Sequence, residues 1–122
     1  MVKEAYVSFE LAKLLKEKGF DEKCYAFYEY DSKEFYREER IPCCNSRSDD
    51  YAAPTHQMAI AWLRTKHIII VVQPEYFNAD GICSYWGVDI WTDDNYEKLQ
   101  GDFPSYEQAV EASLKYSLEN LI

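Results

Sequence analysis

The sequence is short of what several chemistries require. Its longest strongly apolar run is the five residues Ile68–Val72, whereas a helix across a bilayer needs about 20 predominantly apolar residues. The opening Met1-Val2-Lys3-Glu4 leads into a charged amphipathic stretch rather than the continuous apolar region of a signal peptide, so a cytoplasmic chain is expected. Glycine is scarce, and Gly19, Gly81, Gly87 and Gly101 stand apart with no G-x-G-x-x-G or G-K-[ST] around them. Without such a loop successive backbone N–H groups cannot cradle a phosphate, and no nucleotide cofactor is expected. Basic residues number 13 against 22 acidic ones, for a net charge of −9. A polyanionic duplex or an anionic membrane selects for basic surface, so direct binding to either is not expected.

Metal-ligand spacing is also missing. Cys24, Cys43, Cys44, Cys83, His56 and His67 are of ligand type, but zinc sites bring side chains together at spacings such as C-x₂₋₄-C, and the only close pair is the adjacent Cys43-Cys44. Neighbouring side chains diverge, so no metal is expected, and in a chain read as cytoplasmic the cysteines are expected to be thiols. A nucleophile at Cys43 or Cys44 with a histidine as base is the alternative, enzymatic reading. No Gly-rich flank or strained elbow surrounds either residue, and the leading expectation is a noncatalytic chain. The paired carboxylates Asp49-Asp50 and Asp93-Asp94 lie among Ser and Asn, where acids are solvated rather than tuned by burial.

What is present points to one folded domain spanning 1–122. Hydrophobic residues make up 48% and aromatics 16%, including 11 Tyr, 6 Phe and 3 Trp, a content that disordered chains lack. The acidic excess is uneven. Residues 75–122 hold ten acids against Lys98 and Lys115, a charge of −8, and the rest of the chain comes to −1. Asp93, Asp94, Glu97, Glu107 and Glu111 are expected to share an extended negative surface.

Ser8 opens a helical pattern with Val7, Leu11, Leu14 and Leu15 on one side, and Gly19 stops it, giving a helix over 8–18. Cys24–Tyr30 and Phe35-Tyr36 flank Asp31-Ser32-Lys33 as a hairpin. From Glu38 to Ala53 charges, Pro42 and turn formers predict a surface loop. Thr55 opens a mostly apolar, buried helix to Lys66 that carries Trp62 in the core. Ile68–Val72, rich in β-branched residues, predicts a central strand covered on both faces and ended by Pro74. Ile82–Thr92 returns as its hairpin partner, and Asp93–Asp102 reads as an acidic loop. Ser105 with Gln108 forms a capping box for a helix to Leu121. The expected fold is therefore two-layer α+β, a four-stranded, mainly antiparallel sheet with three helices in the order αββαββα.

With all helices on one side, the other sheet face would carry aromatics outward. Tyr25, Phe27, Tyr85 and Trp91, together with Asp93 and Asp94, are the candidate partner-binding residues. An aromatic sheet could stack single-stranded RNA, but that mode also needs basic residues along the strand's path, and here the strand leads into Asp93-Asp94. The partner is expected to be a protein, either a basic one steered by the acids, such as a DNA-binding protein whose site they would occupy, or a second copy in a homodimer.

Three segments, 6–21, 53–64 and 106–120, resemble a family of small uncharacterised proteins from Bacteroides-type gut bacteria and their phages and prophages. The resemblance covers all three helices and leaves out 38–52 and 93–102. It implies a bacterial cytoplasm and a mobile-element setting, and it brings no catalytic residues.

Overall fold

A computed structural model describes residues 3–122; the reading of Met1 and Val2 as part of a leaderless start lies outside the described residues. Three helices form at the places where caps and periodicity put them. They are α1 (Phe9–Glu17), α2 (His56–Thr65) and α3 (Tyr106–Asn120). Each begins at a hydroxyl that accepts a hydrogen bond from a backbone N–H three residues on: Ser8 from Leu11, Thr55 from Met58 and Ser105 from Gln108.

The first two helices end in the same way. Phe20 N–H bonds to the Leu15 carbonyl and Gly19 N–H to that of Lys16, while Ile68 N–H bonds to Leu63 and His67 N–H to Arg64. Both are Schellman closures, which need a left-handed residue just beyond the cap. Gly19 fills that position at φ +94° without strain, and His67 fills it at φ +63° despite its Cβ.

The strands depart from expectation. In place of one four-stranded sheet there are two separate three-stranded antiparallel sheets, and the element order is αβββαβββα. The first has the order β2-β1-β3, from β1 (Ala26–Tyr28), β2 (Phe35–Arg37) and β3 (Tyr51–Ala52). The second has the order β4-β5-β6, from β4 (Ile69–Phe77), β5 (Cys83–Trp91) and β6 (Tyr96–Phe103). The α+β class stands; the sheet count, the strand order and the single shared face do not.

Two segments read as loops account for the change. Tyr51-Ala52 pairs with Phe27 and Tyr28, so the first hairpin completes its own sheet instead of joining the second. Tyr96–Phe103 pairs with β5 along most of its length, with Lys98 opposite Asp89 and Leu99 opposite Val88. Its polar residues suit a strand with an open outer side. The expected surface loop also holds a short 3₁₀ turn at Asn45–Arg47, and the buried Asn45 amide donates to the Phe20 carbonyl (2.8 Å) and accepts from Ala52 N–H (2.9 Å).

Ile68–Val72 is not a central strand. β4 is an edge, Ile69 and Val71 stand outward at 48% and 39% exposure, and only Ile68 and Ile70 are buried in the core. Nor does Pro74 end it: the strand runs on to Phe77 through irregular register around Pro74 and Tyr76, a setting that tolerates a residue lacking an N–H.

The core lies around α3 and the inner faces of the sheets. α3 packs on β4, β5 and β6 and touches α1 and α2, while α1 packs on β3. Leu11, Leu15, Phe20, Leu63, Val88 and Leu114 are nearly or fully buried there, each contributing roughly 1.5–3 kcal/mol. Trp62, 8% exposed, meets the Phe20 ring edge-on at 5.4 Å, as its place on an apolar helix predicted. One carboxylate ties the helices together. Glu111 of α3 accepts from Ser8 N–H (3.2 Å) and meets His56 Nε2 at 2.7 Å, next to the positive N-terminal ends of α1 and α2.

Candidate functional site

Side-chain alternation along β5 determines which residues look outward. Trp86, Val88 and Ile90 turn toward α3, which leaves Tyr85, Gly87, Asp89 and Trp91 on the outer face. The ladder register then builds rows across the sheet. Ile69, Trp91 and Tyr96 stand abreast on the three strands, and Val71, Asp89 and Lys98 form the next row. The Trp91 and Tyr96 rings touch, with centroids 4.4 Å apart. At the other end of the face the Tyr76 and Tyr85 rings lie 5.9 Å apart.

Between these two ends lies a polar patch that satisfies itself. The Asp89 carboxylate accepts from Tyr96 Oη (2.7 Å) on one oxygen and from Gln73 Nε2 (2.8 Å) on the other. Lys98 pairs with Glu75, whose side chain lies across Gly87 in the space a Cβ would fill. A glycine at 87 is what permits that crossing. Both contacts show in proton affinity: the Asp89 hydrogen bond and charge raise the Tyr96 phenol, and the Glu75 hydrogen bond raises Lys98.

The residues picked from sequence fall on different surfaces. Tyr85 and Trp91 share the outer face of the second sheet, and Asp93 and Asp94 sit in the exposed turn just beyond Trp91. Phe27 belongs to the first sheet, where it stacks on Tyr36 at 5.6 Å, and Tyr25 lies in the bend just before β1. The continuous aromatic face expected over one sheet is thus divided, because the sheet itself is. Ile69, Val71 and Tyr96 were missed. The first two lie in a run with β-branched residues at both parities, which reads as covered on both sides, and Tyr96 lies in the segment read as a loop. Within β6 the apolar Tyr96 and Leu99 fall on opposite sides of the strand, so the segment carries no apolar period of two.

Three of the acids expected to share a negative surface make internal contacts. Glu111 is spent on Ser8 and His56, Glu97 accepts from Tyr116 Oη (2.8 Å), and Asp93 meets His67 Nδ1 at 3.4 Å. Asp94 and Glu107 are exposed.

The thiols form a different cluster. Cys24 and Cys43 face each other across an isolated antiparallel bridge, with N–H···O distances of 3.0 and 2.7 Å. Burial pushes the Cys24 thiol up to about 12 and also raises Cys43, which keeps both protonated and weakly nucleophilic. Cys44 lines a cleft of about 670 Å³ against Met58, Ala61 and Trp62 of α2, with Lys23 and Arg47 at its rim. Among the described residues neither histidine hydrogen-bonds a thiol; His56 pairs with Glu111 and His67 with Asp93. Among the same residues no group of three or more His, Cys, Asp or Glu is gathered as a metal site requires, and no helix is long and apolar enough to cross a membrane.

Compared with family models, with curated proteins and with solved structures, the chain has no match in any of the three.

Proposed function

We propose that this chain is a noncatalytic protein-interaction module whose contact surface is the outer face of the β4-β5-β6 sheet. The observation that carries the reading is the exposed row Ile69–Trp91–Tyr96, which continues into Val71 on an edge strand. Soluble monomers rarely leave contiguous apolar surface of more than a few hundred Å² uncovered, and Trp and Tyr anchor interfaces because they bury much area at small entropic cost. The resemblance of the three helices to small proteins of gut bacteria and their phages supports a mobile-element setting in a bacterial cytoplasm.

A photoreactive amino acid placed at Trp91, at Tyr85 or at the exposed Tyr25 beside the first sheet tests this. In cells, Trp91 and Tyr85 should yield a discrete protein adduct and Tyr25 should not. Adducts from Tyr25 alone would move the contact to the first sheet, and adducts from none would remove the reading.

A further inference from the structure

We infer that the partner seated on the outer face of β4-β5-β6 is a second copy of this chain, the two sheets stacking face to face; this rests on the reading of that face as the contact surface. Three observations fit this occupant.

The first is charge. The centre of the outer face carries Glu75, Asp89 and Lys98, two acids and one base, a net −1, while Asp93, Asp94 and Asp102 are exposed at the ends of the sheet. A partner selected for basic surface would find little to pair with there, since Lys98 already holds Glu75 and both Asp89 oxygens are occupied. A second copy meeting this face with its own sets a nearly neutral centre against another, with the acids held at the ends.

The second is polar satisfaction. Removing these groups from water would be costly if they lacked partners, and here the hydrogen bonds are made within one copy before association. What remains to bury is Ile69, Val71, Trp91, the Tyr96 ring, Tyr76 and Tyr85.

The third is area. Strands of eight or nine residues at about 3.4 Å per residue, three abreast at about 4.8 Å, give a footprint of about 30 by 14 Å. That footprint is about 420 Å² in projection, and the relief of the side chains standing off it carries the accessible area toward the ~800 Å² per partner that stable pairs bury. Sheets stacked this way pack about 10 Å apart and interdigitate their facing side chains.

Sedimentation equilibrium of the purified chain over the micromolar range, at low and at physiological salt, tests the inference. The wild type should be a dimer that tightens as salt rises, because each copy carries −9 and screening relieves the repulsion between them. A basic partner would show the opposite sign. Trp91→Glu and Ile69→Lys, both at exposed positions, should each weaken the dimer by about tenfold or more while leaving the far-ultraviolet circular dichroism spectrum of the wild type. A dimer that survives Trp91→Glu, or one that loosens with salt, uses another surface and overturns the inference. A wild type that stays monomeric at every concentration also overturns it. In that case photo-crosslinks from Trp91 to a different protein would preserve the interaction-module reading, and their absence would end both.

Discussion

His67 and Gly19 perform the same task with different side chains. Each closes a Schellman turn in the left-handed region, but a residue with a Cβ is disfavoured there. His67→Gly should therefore stabilise the fold by about 0.5–1 kcal/mol; the lost contact with Asp93 is largely exposed and contributes little. A denaturant midpoint that stays put or falls would place the histidine in a stabilising contact. Cys24 makes a second prediction, in alkali. The folded thiol holds its proton up to about 12, and the unfolded one loses it near 9.0. Between those values the unfolded state binds fewer protons, so stability falls as pH rises through the window. Cys24→Ala should flatten that fall between pH 9 and 10, before the tyrosines ionise, and an unchanged slope would assign it to other groups. The sequence announces Gly19 as a helix stop; nothing in it announces His67, because the left-handed conformation is imposed by burying Ile68 immediately afterwards.

Among the elements, the helices were legible and the sheets only in part. Ser8, Thr55 and Ser105 cap within the chain, and apolar residues at 3.6-residue spacing leave one orientation for α1 and α3. Strand signals are weaker where one side is open. β3 is two residues long and has no period to read, and β6 places Tyr96 and Lys98 outward with only Leu99 and Phe103 as apolar inward residues. Ile68–Val72 failed in the opposite sense: β-branched residues at every position suggest burial on both faces, whereas Ile69 and Val71 are outward. The candidate site was legible at Tyr85 and Trp91, and its extent was not, since the rows depend on a register that only pairing sets. Amide exchange distinguishes β6 from a loop. Alternate amides across 96–99 should exchange much more slowly than those of the 93–95 turn, because one edge of β6 pairs with β5 and the other is open. Uniformly fast exchange would return the segment to a loop and remove Tyr96 from the site.

For the whole molecule, the division of labour follows from where charge and apolar surface fall. Glu111 is drawn inward to join three helices and Glu97 to hold Tyr116, while Asp93, Asp94 and Glu107 stay exposed. The outer face of the second sheet has apolar and aromatic residues on either side of a polar centre of two acids and one base. This account is tested most directly by hydroxyl-radical footprinting of side chains in cells, compared with the purified chain at high dilution. The account predicts that Ile69, Trp91, Tyr96 and Tyr85 lose reactivity together in cells while Tyr25 and Ile41 keep theirs. Unchanged reactivity at the first four, with protection appearing on the first sheet or along α3, would contradict it.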